Sequence, residues 1–174
     1  MRGMTDAECM DWMKRHLPAA TKFQDVTGLP QLAQCGYSVL SVPCPVDSGA
    51  KTSLSRDTYS LFATETSVLV CVLNVHVFPS SGHVPLLLSL RKSLGETRTL
   101  EQASGHLFEK AEAADAVSII VLAMQFFWDC LVIGATGETV FYISHDEYCD
   151  LLTTSQATIN RFNSLATQVQ RPKT

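Results

Sequence analysis

The stretch FFWDCLVIGATGETVFYI, residues 126–143, is the part of the chain that decides its fold. Residues 126–133 are almost all apolar and predict a strand, residues 134–137 (GATG) predict a tight turn, and residues 138–143 predict a second strand. An amphipathic helix is predicted directly after this hairpin. A buried hairpin followed by a covering helix is typical of an α+β fold, but it does not point to a chemistry.

The size and composition of the chain indicate one globular domain. Its 174 residues are 46% hydrophobic and 17% charged, which suits a packed core rather than disorder. We expect a single domain over residues 1–174, with an N-terminal helix and connector over 1–36 and the sheet and helices over 37–170. The formal net charge of −4 argues against a nucleic-acid-binding protein, which would need a basic surface.

Two features of the sequence predict a cytoplasmic protein that does not enter a membrane. No apolar run reaches the roughly 18 residues that a membrane-spanning helix needs. The N-terminus enters a charged helix without an apolar signal core.

The cysteines are scattered with no C-x-x-C pair, so we expect buried thiols rather than a disulfide framework. The cysteines are Cys9, Cys35, Cys44, Cys71, Cys130 and Cys149.

Capping boxes mark the starts of three predicted helices. In each of them a Ser or Thr is followed three residues later by a Glu or Gln, whose side chain can reach back to the cap. The helices are expected at residues 5–17, 99–111 and 145–168. Residues 83–94 fit either a helix or a buried strand, and Pro85 near their start favours the helix.

The other elements are predicted to be strands of a largely antiparallel sheet of about five to seven strands. The most apolar of them covers residues 67–78, has two hydrophobic faces, and is expected at the centre of the sheet. A polar surface loop is expected over residues 44–56. Further strands are predicted at residues 37–43, 57–63 and 117–124.

The order of elements after Gly36 resembles that of the PsbP-like superfamily. Three segments carry the resemblance: GYSVLSVP at 36–43, the helix start TLEQ that leads to Phe108, and GETVFYIS at 137–144 with the helix to Leu165. The resemblance implies an antiparallel sheet with helices on both faces, an α/β/α sandwich. It also implies a binding or accessory role, because the superfamily is mostly non-enzymatic. The chain lacks the Phe-rich acidic signature of the Ran-binding branch and a chloroplast-type leader, so neither branch's function is transferred.

Cys35 and Cys44 are the candidate nucleophiles of an enzyme. A cysteine nucleophile needs a histidine base and a group that orients this base. The string QCGY around Cys35 matches no protease signature, and the sequence alone does not test the arrangement. The histidines available as the base are His76, His83, His106 and His145, and the carboxylates available to orient it are Asp129 and Asp146.

His145 and Cys149 stand one turn apart in the predicted last helix, so both could reach one metal ion. Two ligands do not make a site and no further ligand pair is nearby, so we predict neither a metal nor a cofactor. His76 lies in an apolar strand and is interpreted as structural. Asp129 interrupts an apolar strand, and its charge must be paired if the side chain points inward.

The aromatic run FFW is the candidate binding surface. In a strand, Phe126 and Trp128 face one way and Phe127 the other, so one side lies under a helix and the other is available to form a groove. We therefore predict that Phe126, Trp128 and Asp129 contribute to binding.

The function that these observations favour is a non-enzymatic binding or accessory protein that acts through protein–protein contacts. The alternative is a cysteine-dependent enzyme that uses Cys35 or Cys44 with a histidine base. A third hypothesis is a homodimer built through the exposed face of a strand. The partner is expected to be a protein, not a nucleic acid or a membrane.

Overall fold

The computed structural model describes residues 1–17, 32–33, 35–75 and 83–169. Within these residues, seven strands form one sheet in which every pair of neighbours is antiparallel. The strands are β1 (Arg2–Met4), β2 (Ser38–Pro43), β3 (Ser67–Asn74), β4 (Gly105–Glu109), β5 (Asp129–Gly134), β6 (Thr139–Ile143) and β7 (Tyr148–Thr153). Their order across the sheet is β1-β4-β3-β5-β6-β7-β2.

Helices cover both faces of this sheet, so the expected α+β fold is confirmed. The helices are α1 (Asp6–His16), α2 (Ser48–Tyr59), α3 (Val84–Ser93), α4 (Ala113–Phe126) and α5 (Gln156–Val169), with 3-10 turns at Ser60–Phe62 and Lys110–Glu112. On one face, Trp12 and Met13 of α1 pack in an apolar cluster with Leu69 and Leu131 of the sheet. The larger cluster on the other face contains residues of α2, α3, α4 and α5.

Several sequence predictions are confirmed in their positions. The hairpin of β5 and β6 pairs Cys130 with Ile143 and Ile133 with Val140. The capping box of α1 is formed, because the Thr5 hydroxyl accepts from the Glu8 amide and the Glu8 carboxylate accepts from the Thr5 amide. β2 and β3 also form as expected, with β3 between β4 and β5, and the ambiguous segment after residue 83 is the helix α3. The predicted strand end at 76–78, His76 and the connector at 18–31 lie outside the described residues.

The strand predicted at 117–124 is wrong, because these residues belong to α4. The buried residues of α4 recur at helical spacing, so one face of the helix enters the core although the run is rich in Val and Ile. They are Ala116, Ile119, Ile120, Ala123 and Met124. Phe127 then takes a left-handed conformation, with φ 52°, that ends α4. The strand predicted at 126–133 is therefore shortened at its start, and β5 begins only at Asp129.

The helix predicted at 99–111 is also wrong. Thr99 and Gln102 make a single turn, in which the Gln102 amide donates to the Thr99 carbonyl and the Gln102 side chain accepts from the Thr99 amide. The chain then straightens into β4 at Gly105, where a side chain would collide with the Cys9 sulfur. A local capping pattern thus forms a turn without a helix, because pairing with β3 holds the following residues extended.

The long helix predicted at 145–168 begins eleven residues later, at Gln156. Ser144 to Glu147 form the turn between β6 and β7 instead of a capping box: the Glu147 amide donates to the Ser144 carbonyl, and Glu147 has φ 65°. The residues that follow pair with both β6 and β2. The pairing of β7 with a strand on each side therefore outweighs the local helical signal.

Residues 44–56 are not the predicted surface loop, and residues 57–63 are not the predicted strand. The Asp47 side chain accepts from the Ala50 amide and caps α2, which runs on to Tyr59 and into the 3-10 turn. Leu54 and Thr58, one turn apart, are buried on the core side of this helix. Helical periodicity in a Ser- and Thr-rich segment is the signal that the prediction missed.

Candidate functional site

Asp129 is a polar residue at the start of the most buried strand. β5 is buried along its whole length, and Asp129 stands opposite Asn74, next to a bulge in β3. Because side chains alternate along a strand, Asp129 faces the same side as Leu131 and Ile133, which is the α1 side of the sheet. The sequence predicted Asp129 inside a strand over 126–133, whereas the structure places it at the first position of β5.

The Asp129 carboxylate collects three donors from β6 and from the turn that follows it. One oxygen, Oδ1, accepts from the Tyr142 hydroxyl at 2.9 Å and from the His145 amide at 2.8 Å. The His145 ring nitrogen Nδ1 lies 2.9 Å from Oδ1 and 3.0 Å from Oδ2. The buried charge is thus fully paired, as burial of a carboxylate requires. The sequence singled out Asp129 and His145 separately, and the structure brings them together.

The contacts with Asp129 change the acidity of His145 and Tyr142. The hydrogen bond to Asp129 raises the pKa of His145 above its ordinary value and favours the imidazolium form. Burial, reinforced by the hydrogen bond that it donates to Asp129, raises the pKa of Tyr142. The Tyr142 ring also makes an edge contact with Tyr148, at 6.4 Å between ring centroids. Asp129 and His145 therefore form an ion pair at the end of β5, and Tyr142 supports it with a hydrogen bond to Asp129.

Replacing Asp129 with asparagine is expected to lower the pKa of His145, because the amide keeps the shape and removes the negative charge. Two-dimensional NMR titration of the His145 ring measures this shift. Since the folded pKa is raised, the ion pair stabilises the fold below the unfolded pKa of about 6.5. This contribution disappears as the pH rises through the folded value.

The matched control is Asp146→Asn. Asp146 is exposed, and its Oδ1 lies 3.5 Å from His145 Nε2, so its removal should shift the His145 titration less. Equal shifts in the two variants would contradict the assignment of Asp129 as the partner that sets the His145 charge.

Phe126 and Trp128 do not lie in a strand. Phe126 is the last residue of α4, where its ring stacks on His83 at 4.1 Å and lies 5.2 Å from Trp128. Trp128 is only 1% exposed and belongs to the core of the α2–α5 face. The predicted groove at Phe126, Trp128 and Asp129 is therefore not a common surface, because Asp129 faces the opposite side of the sheet.

The two candidate nucleophiles have different surroundings. Cys35 is half-buried in a turn in which its amide donates to the Leu32 carbonyl. Cys44 is 9% exposed, and its sulfur lies 3.0 Å from that of Cys149. In the described part of the chain, neither thiol makes a hydrogen bond to a histidine. All six cysteines are free thiols. The five other than Cys35 are buried as the sequence predicted, whereas Cys35 is only half-buried.

An open apolar trough of about 670 Å³ crosses the helical layer. Thr52 and Arg56 of α2 form one wall, and Leu86 and Leu90 of α3 form the other. The floor is the outer side of α4, where several small side chains leave space between α2 and α3. The floor residues are Ala113, Ala114, Val117, Ser118, Val121 and Leu122. No sequence signal predicted this trough, because two of its three helices, α2 and α4, were not predicted.

Within the described residues, no cluster of three or more His, Cys, Asp or Glu side chains is arranged to hold a metal ion. His145 and Cys149 are not neighbours on a helix, since the first lies in a turn and the second in β7. Their one-turn spacing therefore does not exist in the fold. None of the helices in this part of the chain has the length and apolar composition needed to cross a membrane.

No protein-family model, no curated protein and no solved structure matches this chain significantly. The resemblance to the PsbP-like superfamily stays a prediction.

Proposed function

We propose that this chain is a non-enzymatic binding or accessory protein of the cytoplasm. In this proposal, the trough between α2 and α3 accepts an amphipathic helix of a partner protein. The apolar character of the trough is the observation that supports it. The predicted PsbP-like relationship would fit an accessory role of this kind.

The hydroxyl groups in the trough do not make it polar. The Thr52 hydroxyl donates to the Ser48 carbonyl, and the Ser118 hydroxyl donates to the Ala114 carbonyl, each within its own helix. These groups need no further partner, so the surface that they offer is largely hydrocarbon. Burying such a surface against apolar side chains is favourable by about 25 cal/mol per Å².

Exposed leucines on α3 support a role in binding. Leu86 is 50% exposed on the wall of the trough, and Leu88 is 39% exposed on the same helix but outside the trough. An apolar wall continuous with an apolar floor is the form that helix-binding grooves take.

The charge of the trough lining indicates which kind of partner helix would bind there. Of the residues that line the trough, Arg56 is the charged one, and it is exposed. A partner helix with apolar residues at i, i+3 and i+4, and with a Glu or Asp beside them, would fill the trough and pair with the guanidinium. The proposed partner is therefore an amphipathic helix with an acidic border.

The test is a selection from a displayed library of amphipathic helical peptides with random polar positions. Peptides selected on the full chain should carry acidic residues and should bind Leu86→Glu at least about tenfold more weakly, a loss of about 1.4 kcal/mol. Leu88→Glu is the matched control, because it places the same charge on the same helix outside the trough. Arg56→Glu should weaken the binding of acidic peptides.

Peptides that bind Leu86→Glu and Leu88→Glu equally would overturn the proposal, and so would a selection that yields no binder. Light scattering of the free protein measures its oligomeric state and tests whether a second copy of the chain, rather than a partner helix, occupies the trough. A dimer that Leu86→Glu dissociates and Leu88→Glu does not would show that a second copy of the chain fills the trough.

A further inference from the structure

Cys44 and Cys149 meet at the edge of the sheet, on the face covered by α2, α4 and α5. Val42 of β2 pairs with Cys149 of β7, and beyond this pair the Cys44 amide donates to the Glu147 carbonyl at 2.8 Å. Cys44 and Cys149 are therefore diagonal neighbours on the same side of two adjacent strands. Their sulfur atoms are 3.0 Å apart, about 1 Å more than in a disulfide bond.

A buried lysine, Lys51, lies close enough to this pair for its charge to act on Cys44. Lys51 is 5% exposed, and its ammonium group lies 3.6 Å from the centre of the Phe127 ring and donates to the Gln125 carbonyl at 3.3 Å. A cation held this way lowers the free energy of a nearby thiolate.

The two sulfurs have unequal acidities. The hydrogen bond from Cys149, assisted by the charge of Lys51, lowers the pKa of Cys44. The same hydrogen bond, together with burial, raises the pKa of Cys149. The pair therefore ionises at Cys44 first, and Cys149 keeps its proton and donates it towards the Cys44 sulfur.

Exposure also distinguishes the two sulfurs. Cys44 is 9% exposed and Cys149 is fully buried, so a reagent from solution meets Cys44 first. Cys9, Cys71 and Cys130 are fully buried, and burial raises the pKa of Cys130.

We propose that Cys44 and Cys149 form a dithiol site that exchanges with small-molecule disulfides of the glutathione disulfide class. The Cys44 thiolate attacks one sulfur of the disulfide, forms a mixed disulfide with it and displaces the first glutathione as a thiolate. The Cys149 sulfur then attacks the Cys44 sulfur, which forms the Cys44–Cys149 bond and displaces the second glutathione. One glutathione leaves with the Cys149 proton, and water protonates the other. Two protein thiols are oxidised and one glutathione disulfide is reduced to two thiols.

The test begins with the wild-type full chain, which needs no substitution. The protein is equilibrated with glutathione disulfide at neutral pH, quenched with acid, alkylated and mapped by mass spectrometry. The expected product is a peptide pair linked through Cys44 and Cys149 that dithiothreitol separates again. Oxidation confined to Cys35, or spread equally over the cysteines, would overturn the proposal.

Substitutions then assign the order of the two steps. Cys149→Ser should trap the glutathione mixed disulfide at Cys44, Cys44→Ser should remove both products, and the control Cys35→Ser should change neither. Lys51→Met should slow the first step about threefold to tenfold, because it removes the cation whose charge favours the Cys44 thiolate. Circular dichroism identifies any variant that fails to fold. A folded Cys149→Ser protein without the trapped adduct at Cys44 would contradict the proposed order.

Discussion

Replacing Arg91 with alanine is expected to lower the free energy of unfolding by about 3–5 kcal/mol, which would remove much of the stability of a domain of this size. Arg91 has no exposed surface, although it carries a charge. Its guanidinium donates to His106 Nε2 at 2.8 Å and to the Ala103 carbonyl at 2.6 Å, with longer bonds to the Arg98 and Thr99 carbonyls.

The size of this effect follows from what alanine would leave behind. Arg91 fastens the segment between α3 and β4, because its partners at residues 98, 99 and 103 are backbone carbonyls of that segment. Without the guanidinium, the Ala103 carbonyl and His106 Nε2 lose this donor inside the core. The part-buried Arg98 carbonyl loses a longer bond, and the Thr99 carbonyl keeps its bonds from the Gln102 and Ala103 amides. Each buried acceptor left without a partner costs about 1–3 kcal/mol, and the lost side chain leaves a cavity as well.

Urea unfolding of both proteins measures the difference in stability. Lys92→Ala is the matched control, because Lys92 is the exposed neighbour on the same helix and should change stability by less than about 0.5 kcal/mol. Arg91→Lys should also be strongly destabilised, because an ammonium group cannot reach acceptors in several directions. An Arg91→Ala midpoint within error of that of Lys92→Ala would refute the role assigned to Arg91.

Acidification is expected to destabilise the protein by about 3 kcal/mol through His106 alone. Burial, followed by the charge of Arg91, lowers the pKa of His106 to about 4. The neutral ring is the form that fits the site. Its Nε2 accepts from Arg91, so the proton is on Nδ1, which donates to the Val70 carbonyl at 3.4 Å.

The sign of this effect follows from the two pKa values. The unfolded chain takes up a proton on His106 near pH 6.5, whereas the folded protein does so only near pH 4. The contribution of the neutral ring is therefore complete above about pH 6.5 and is lost as the pH falls through 4. The charged groups around the ring, besides Arg91, are Glu96 and Arg98.

Unfolding free energies at several pH values, compared between the wild type and His106→Gln, isolate this contribution. The glutamine keeps an acceptor for Arg91 and does not titrate, so the variant is less stable at neutral pH but loses less stability on acidification. Other titrating groups, such as Glu96, are present in both proteins and cancel in the comparison. Parallel pH profiles would show that His106 does not carry the acid sensitivity.

The sequence predicted the fold class well because some signals are local and strong. The capping box at Thr5, the central hairpin and the doubly apolar β3 are each determined by neighbouring residues. The same local reasoning failed at 99–111 and 145–153, where a helical pattern is outweighed by hydrogen bonds to strands on both sides, β1 and β3 for β4, and β2 and β6 for β7. It also failed at 117–124, where packing against the core overrides the strand preference of Val and Ile.

The candidate sites were predictable only as single residues. Asp129 and His145 were each noticed, but their pairing depends on the turn after β6, which the sequence presented as a helix start. Cys44 was noticed as a nucleophile, but Cys149 is 105 residues away and becomes its neighbour only through the pairing of β2 with β7. The trough depends on how three helices are spaced, and periodicity within one helix contains no such information.

The strand order has a consequence for how the chain folds as the ribosome makes it. β3 is synthesised long before its neighbour β5, and β2 must wait for β7, the last strand in the described part of the chain. Until β5 is made, the nascent chain presents the apolar strand β3 with one edge unpaired. Such non-local sheets fold slowly and expose surfaces that aggregate or recruit chaperones. The protein should therefore gain its structure late in synthesis, and chains that stop before β5 should be the ones that the cell's quality control meets.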